Sequence, residues 1–203
     1  MPESPSTRDI LILTALKLFA EKGYNSTSVS DILAQADVHS GSLYHHFETK
    51  QSLLLAVLEK YRDEIQTMLI EPACRGVQDP IGRIFALLAR YRQLLKKTDC
   101  NYGCPIGSLA LEIHEPDPPV RKLLAANFDR WTSFVESCFK AGRRQLPPKT
   151  DTRALATFVL TTMEGGVMLS RTARSLKPFD AAVATLKDYV TRLQLMACPP
   201  TKK

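Results

Sequence analysis

The segment 28–50, SVSDILAQADVHSGSLYHHFETK, predicts two short helices joined by a tight turn, and it determines how the first part of the chain folds. Ser28 carries the hydroxyl of a helix N-cap, and Asp31, three residues later, completes a capping pattern. The apolar residues of the first helix recur at helical spacing and are Val29, Ile32, Leu33 and Ala36. Asp37 and Val38 form the turn, and residues 39–42, HSGS, open the second helix.

Small polar residues at the start of the second helix indicate that the segment reads DNA. In a helix-turn-helix, the N-terminal residues of the second helix contact base edges in the major groove, and small side chains permit that approach. We therefore predict that residues 39–43 face bases and that Tyr44, His45 and Lys50 contact phosphates. The full predicted DNA-binding set is Thr27, Ser28, His39, Ser40, Gly41, Ser42, Leu43, Tyr44, His45 and Lys50.

Longer helices are predicted on both sides of this segment. Residues 8–22 form an amphipathic scaffold helix, with Thr7 as its cap and Gly23 as its stop. Its predicted apolar face is Ile10, Leu11, Leu13, Ala15, Leu18 and Phe19. After the segment, Thr49 caps a helix that is predicted to end before Pro72, with Met68 on its apolar stripe.

The run 18–54, LFAEKGYNSTSVSDILAQADVHSGSLYHHFETKQSLL, resembles the signature of the TetR/AcrR family of transcriptional repressors. The likeness combines a helical period, two caps, a turn and an ending in which Phe is followed three residues later by Lys. It implies an all-α fold in which a three-helix helix-turn-helix DNA-binding domain precedes a larger helical ligand-binding and dimerisation domain. It also implies a homodimer that binds a palindromic double-stranded DNA operator and responds to a small-molecule or electrophile effector.

Length and composition agree with a two-domain regulator inside the cell. The chain has 203 residues, and we predict a DNA-binding domain at 1–50 and an effector-binding and dimerisation domain at 51–203. No apolar run approaches the roughly 20 residues of a membrane span, and the polar N-terminus lacks the pattern of a signal peptide. The odd count of five cysteines, without zinc-type spacing, favours reduced thiols. We therefore expect a cytoplasmic protein with no membrane partner.

Charge argues against strong non-specific binding to DNA. Residues 1–62 carry six Lys or Arg and seven Asp or Glu, although the whole chain has a formal net charge of +6. DNA-binding domains usually present a positive face. We therefore expect modest non-specific affinity and a binding energy that depends on placed hydroxyls and helix N-termini.

The remainder of the chain shows helical periods that prolines and glycines separate, with no alternating pattern that indicates a strand. The predicted helices span 80–97, 105–114, 120–141, 151–173 and 179–196. We predict an effector cavity among the first three, lined by Phe85, Leu88, Tyr91, Phe128, Trp131, Phe134 and Met163. The alternative is that these residues form an ordinary core. Glu112 and His114 are expected to face solvent at a helix end.

The last two helices are predicted to form the dimer interface. A glycine in the middle of a helix costs roughly 1 kcal/mol relative to alanine, so Gly165 and Gly166 need a structural reason. Close contact with a second copy supplies one, and a kink or the wall of a ligand cavity is the alternative. The predicted interface residues are Gly165, Gly166, Leu186, Val190 and Leu193.

Cys104 is the candidate sensor. Pro105 suits the first position of a helix, which makes Cys104 the N-cap, and unpaired amides at a helix start favour a reactive thiolate. The run 103–113, GCPIGSLALEI, resembles the regulatory domain of the TetR subgroup that includes NemR, LmrA and YxaF. That resemblance implies that Cys104 matches the position at which NemR senses electrophiles. The alternative is a small structural thiol, which is how most cysteines are used.

Three classes of function follow from these patterns. The leading prediction is a ligand-responsive or cysteine-responsive repressor, and the runner-up is an architectural helix-turn-helix protein without an effector and with a filled core. An enzyme is the third class. The sequence lacks a Ser/His/Asp order, a metal-ligand cluster and a glycine-rich phosphate loop, and His45 and His46 lack the spacing of a helical zinc site. We therefore predict no catalytic activity, metal or cofactor.

Overall fold

The computed structural model describes residues 5–113, 115 and 117–197, and within this part of the chain all regular structure is helical, as predicted. The α-helices are α1 (Thr7–Lys22), α2 (Val29–Ala36), α3 (Ser40–His46), α4 (Lys50–Ile65), α5 (Glu71–Cys74), α6 (Pro80–Lys97), α7 (Pro105–Glu112), α8 (Pro118–Ala141), α9 (Thr152–Ala173) and α10 (Lys177–Ala197). A π-helix at Gln66–Ile70 and a 3₁₀ turn at Arg143–Gln145 complete the set. Among the described residues, every helix is too short or too polar to span a lipid bilayer.

The scaffold helix α1 begins one residue earlier than predicted, and its buried face includes Ile12 in place of Leu13. Ser6, and not Thr7, is the N-cap, because its Oγ accepts a hydrogen bond from the backbone N–H of Asp9 at 3.1 Å. Ile12 is buried, whereas Leu13, predicted for the core, is 43% exposed. The buried positions of α1 are Leu11, Ile12, Ala15, Leu18 and Phe19.

The predicted cap and turn of the helix-turn-helix are confirmed. Ser28 Oγ accepts from the backbone N–H of Asp31, and the Asp31 carboxylate accepts from the backbone N–H of Ser28, which forms a complete capping box. The Ser28 hydroxyl also donates to the Asp31 carboxylate at 2.6 Å, and this bond and the one from the Ser28 backbone N–H lower the pKa of Asp31. Asp37 ends α2 in the left-handed conformation at φ 54°, and His39 is the N-cap residue of α3.

Helical structure after the helix-turn-helix, which begins with α4, continues past the proline that was predicted to end it. Thr49 Oγ1 accepts from the backbone N–H of Ser52 as its cap, and the π-helix leads into α5, where Pro72 occupies the first turn. A proline is tolerated there because N–H groups of a first turn have little to bond within the helix. The wider π-turn changes the phase of the residues, so Met68 is 45% exposed, whereas Ile70 is buried.

Two compact units are distinguished by their internal contacts. The first comprises residues up to Glu64 together with Cys104–Phe128, and the second comprises Ile65–Gly103 together with the residues from Asp129 onward. The first unit therefore contains α1 to α4, α7 and the first part of α8. This division follows a different line from the predicted domains 1–50 and 51–203, which remain a prediction.

The second unit is built around the pair α9 and α10. Residues 174–176 connect these helices, and Arg174 ends α9 in the left-handed conformation at φ 48°. The buried Ser170 Oγ accepts from the backbone N–H of Phe179 at 3.0 Å, which ties the start of α10 to the end of α9. The shared core includes Val159, Met163, Val167, Phe179, Leu186 and Val190.

Candidate DNA-binding surface and regulatory sites

The first half of α3 presents small polar side chains at the surface. His39, Ser40 and Gly41 are exposed, Ser42 is half-buried, and a Cβ built on Gly41 would meet no atom within 4 Å. Farther along the helix, Tyr44 is 57% exposed although it is aromatic. His45 is exposed as well. These positions are open to a large partner without any change in the helix.

Three residues of the predicted DNA-binding set are buried or make hydrogen bonds within the first unit. Thr27 is fully buried, and its Oγ1 donates to the carbonyl of Gly23 at 2.7 Å. Leu43 is buried as the apolar anchor of α3. Ser28 stays exposed, but its hydroxyl caps α2. Thr27 and Leu43 therefore leave the contact set, because a buried side chain cannot reach DNA.

Lys50 is engaged inside the first unit. Its Nζ donates to the carbonyl of Tyr24 at 2.5 Å and lies 4.2 Å from the centre of the Tyr24 ring. Partial burial lowers the pKa of Lys50, and the carboxylates of Glu112 and Asp31 oppose that effect. Lys50 was predicted to contact a phosphate, and in this structure its ammonium group is held by Tyr24 instead.

Glu112 makes a contact that its sequence position did not predict. It was expected to face solvent, but its carboxylate accepts from the backbone N–H of Tyr24 at 2.7 Å and of Asn25 at 2.6 Å. Burial raises the pKa of the Tyr24 phenol, and the nearby carboxylates of Asp117 and Glu112 raise it further. A carboxylate in the last turn of a helix is unfavourable for the helix dipole, and that was the available signal of a tertiary partner. His114 lies outside the described residues.

Cys104 is the N-cap residue of α7, with Pro105 in the first turn, as predicted. The residue is 1% exposed, so a reagent would reach its Sγ only after local opening. Cys100 is also buried and has a positive φ of 56°. Cys198 lies outside the described residues.

Two further thiols, Cys74 and Cys138, lie in the second unit. Cys74 is half-buried, and burial raises its pKa. Burial raises the pKa of Cys138 to about 11, so the Cys138 thiol stays protonated near neutral pH.

The predicted effector-lining residues divide by burial. Leu88, Tyr91, Trp131 and Met163 are buried in the second unit, whereas Phe85, Phe128 and Phe134 are half-buried. The Tyr91 and Trp131 rings pack edge to face with 5.5 Å between their centres. Trp131 is 1% exposed, and its buried Nε1 has no hydrogen-bond partner among the described residues. Phe128 belongs to the first unit.

The predicted dimer residues are mostly used within one chain. Leu186 and Val190 are buried in the second unit, and a Cβ on Gly166 would lie 3.1 Å from Cδ2 of Phe179. Gly166 thus permits α9 and α10 to approach each other. Leu193 is half-buried, and Gly165 has open space where its Cβ would lie.

Other apolar side chains of α9 and α10 are exposed. They are Phe158, Met168, Leu169, Tyr189, Leu195 and Met196. Phe158 and Tyr189 pack edge to face, with 5.7 Å between ring centres, beside a surface groove that Ala154, Leu155 and Leu193 also line. An exposed apolar set on two adjacent helices is typical of a protein interface. Within the described residues, no group of three or more His, Cys, Asp or Glu is placed to hold a metal ion.

Comparison with known families identifies both parts of the chain. The profile described as "Bacterial regulatory proteins, tetR family" matches residues 11–57, which include α2 and α3. The profile described as "Transcriptional regulator LmrA/YxaF-like, C-terminal domain" matches residues 80–185, about half of the chain. The predicted resemblance to this subgroup is therefore confirmed.

Individual relatives match over nearly the whole length. An uncharacterized HTH-type transcriptional regulator of Mycobacterium tuberculosis is 32% identical over 188 residues, which cover 90% of this chain and 93% of that protein. The HTH-type transcriptional repressor DhaR of Mycobacterium sp. strain GP1 is 28% identical and covers 85% and 86%. The crystal structure of reduced NemR from E. coli superposes with a TM-score of 0.78 over 90% of this chain and 95% of NemR, at 24% identity, which shows a shared fold.

Proposed function

The chain belongs to the TetR family of bacterial transcriptional regulators, and we propose that it is a sequence-specific repressor that an effector releases from its operator. The observation that carries DNA reading is the exposed start of α3, where His39, Ser40 and Gly41 follow a capped α2. Small exposed side chains at the start of a second helix fit contact with base edges. Repression as the direction of control is supported by the relative that is named a repressor.

The proposed contact set is smaller than the one that the sequence suggested. His39, Ser40, Gly41 and Ser42 face bases, and Tyr44 and His45 contact phosphates. Ser28 and Lys50 lie beside this surface, and Lys50 reaches a phosphate only if its Nζ leaves the Tyr24 carbonyl.

Selection of bound duplexes from a random DNA pool tests this assignment. The parent should enrich a palindrome whose half-sites are one helical turn, or a multiple of about 10 base pairs, apart. His39→Ala should alter the enriched sequence, because His39 is at the base-reading end of α3. His46→Ala removes an exposed imidazole from the opposite end of α3 and serves as the matched control. No enrichment by the parent would overturn the proposed DNA reading.

Members of the TetR family are typically dimeric, and we place the interface of this chain on the exposed apolar side chains of α9 and α10. Phe158 and Tyr189 form its centre, because paired aromatic rings at the surface gain most from burial by a second copy. Gly165 and Leu193 lie on the same two helices and remain in the proposed interface. Leu186, Val190 and Gly166 act inside each subunit.

Trp131 supports a small-molecule effector over an architectural protein with a filled core. An indole N–H can only donate, and a buried donor without a partner costs about 1–3 kcal/mol. An apolar molecule with one hydrogen-bond acceptor, such as a carbonyl oxygen, would satisfy Nε1 beside the Tyr91 ring. The half-buried Phe85 and Phe134 belong to the same unit and remain candidate lining residues.

Because Trp131 is the single tryptophan of the chain, its fluorescence reports directly on this site. A panel of apolar carbonyl compounds should include one that changes the emission and releases the selected duplex. Trp131→Phe keeps an aromatic ring but removes the N–H, so it should bind that compound about tenfold more weakly, equivalent to about 1.4 kcal/mol. Titration calorimetry can follow binding in this variant, which has no tryptophan.

Modification of Cys104 is the second proposed trigger, and thiol labelling separates it from ligand binding. If Cys104 is a sensor, an electrophile such as N-ethylmaleimide should label Cys104 and release the duplex, and Cys104→Ser should abolish the release. Cys138 should label slowly, because its raised pKa leaves little thiolate. Release of the Cys104→Ser variant by the reagent would exclude this trigger.

A further inference from the structure

Glu112, at the end of α7, holds the connection between α1 and α2. The two consecutive N–H groups of Tyr24 and Asn25 converge on its carboxylate, and they follow Gly23, whose φ of +88° turns the chain toward α7. We propose that Glu112 is a positioning residue for DNA recognition, which fixes this connection and thereby the orientation of α2 and α3. The inference rests on the proposed function, because operator affinity is one of its readouts.

The connection that Glu112 binds leads directly into the DNA-reading helices. Thr27 Oγ1 donates to the Gly23 carbonyl, and Lys50 Nζ donates to the Tyr24 carbonyl. Residues 23–27 are therefore bound by their own side chains, by α4 and by α7. Among these partners Glu112 is the acceptor for the two backbone N–H groups, so its removal leaves two donors in need of partners.

The position of Glu112 is poor for α7 itself, which argues that its value lies in the contact with α1. A negative charge at the C-terminal end of a helix opposes the helix dipole. Hydrogen bonds to an ionised acceptor are roughly twice as strong as bonds between neutral groups, and both bonds here are short. The carboxylate is thus held by the connection and not by its own helix.

Through Glu112, α7 links its N-cap to the DNA-reading helices. An α-helix of eight residues is about 12 Å long, so about that distance separates its two ends. Its first residue follows Cys104, which is buried, and its last residue is Glu112. A change in the packing of α7 therefore moves the acceptor to which Tyr24 and Asn25 are bonded.

Amide hydrogen exchange tests the hold on the connection without DNA. In Glu112→Ala, the amides of Tyr24 and Asn25 should exchange about tenfold faster than in the parent, because both lose a charge-assisted bond. Glu115→Ala is the matched control, since Glu115 is an exposed carboxylate just beyond the same helix. Glu112→Gln retains one of the two acceptor oxygens and places an NH₂ donor at the other, so it should restore the protection of one amide and not of both. Unchanged exchange in Glu112→Ala would overturn the proposal.

Affinity for the duplex selected from the random pool tests the role in recognition. Removal of an acidic charge alone should leave binding equal or tighter, because the DNA backbone is negative, and this applies to Glu115→Ala. Glu112→Ala should instead bind about tenfold more weakly, equivalent to about 1.4 kcal/mol. The two variants should therefore change duplex affinity in opposite directions, which distinguishes a positioning role from an effect of charge. If Glu112→Ala binds the duplex as tightly as Glu115→Ala does, the positioning role of Glu112 is overturned and the proposed function is not. If the parent selects no duplex, the proposed function itself is overturned.

A double-mutant cycle tests whether α7 acts through Glu112. Ala110→Gly should destabilise α7, because glycine has a lower helix propensity than alanine. The substitution removes no polar contact with α1. It should weaken duplex binding several-fold in the parent and have no effect in the Glu112→Ala background. Equal effects in both backgrounds would show that α7 reaches the DNA-reading helices by another route and would overturn the coupling.

Discussion

The start of α3 and the pair of α9 and α10 were both predicted as contact surfaces, but the fold uses them differently. On α3, the small polar residues 39–41 stay exposed, and none of them contributes to the core. On α9 and α10, the residues first assigned to a partner are largely buried within the chain, as Leu186 and Val190 illustrate. Apolar residues at helical spacing serve packing within a chain first, whereas exposed small polar residues at a helix start need another explanation.

The largest expected effect tests the buried side of this contrast. Leu186→Ala should lower the free energy of unfolding by about 2–5 kcal/mol, because it leaves a cavity in the second unit. Thr191→Ala, at an exposed position of the same helix, should change it by less than about 0.5 kcal/mol. Urea denaturation at a fixed protein concentration measures both. Comparable losses at the two positions would contradict the assignment of Leu186 to the core.

The second prediction concerns the exposed apolar side chains of α9 and α10, and it tests whether Tyr189 contributes to dimerisation. Tyr189→Ala should weaken dimerisation by about 2–4 kcal/mol, because aromatic residues at the centre of an interface dominate binding energy. Sedimentation over a range of concentrations measures the dissociation constant. Lys187→Ala, on the same helix but over the Phe85 ring, is the control and should dimerise like the parent. An unchanged constant for Tyr189→Ala would move the interface elsewhere.

The adjacent glycines of α9 show the same contrast between a position packed within the chain and an open one. A Cβ at residue 166 would lie 3.1 Å from Cδ2 and 3.4 Å from Cα of Phe179, whereas a Cβ at residue 165 meets no atom within 4 Å. Gly165→Ala should therefore be more stable than Gly166→Ala by about 1–3 kcal/mol. Denaturant unfolding decides the order. A more stable Gly166→Ala would mean that α10 shifts at little cost.

The smallest expected effect tests α3. Tyr44→Ala should weaken duplex binding by about 1 kcal/mol across sequences, because a phosphate contact carries no base information. Its unfolding free energy should stay within about 0.5 kcal/mol of the parent, since the ring is exposed. Titration of several duplexes beside an unfolding curve measures both quantities. A loss confined to one base sequence would assign Tyr44 to base reading.

Features of the fold that depend on neighbouring residues were predictable from the sequence. The bounds of α6 are those predicted, because Pro80 and the Asp79 cap begin the helix locally. The capping box of α2 and the left-handed Asp37 also involve residues within four positions of each other. Each of these features is encoded in one short stretch of chain.

Features that depend on distant residues could not be predicted. Glu112 and the amides that it accepts from are separated by 88 and 87 residues, and no local pattern joins them. Lys50 and Tyr24 are 26 residues apart, so the sequence predicted a phosphate contact for Lys50 and did not predict its bond to the Tyr24 carbonyl. The π-turn that exposes Met68 depends on packing around the helix and not on helical period. The sequence likewise did not decide which side of α9 and α10 faces outward, because both helices are apolar on more than one face.

The internal bond of Lys50 has a consequence for how such a protein would search a chromosome. A DNA-binding protein with six to ten phosphate contacts releases many counterions, and it loses about 10³–10⁵ in affinity between 50 and 200 mM salt. With Lys50 bound to Tyr24, and with six basic and seven acidic residues in positions 1–62, this region would neutralise few phosphates and release few counterions from the DNA. Random DNA would then retain the protein only briefly. It would reach its operator by repeated collision from solution, with little sliding along the duplex and little sensitivity to the ionic strength of the cell.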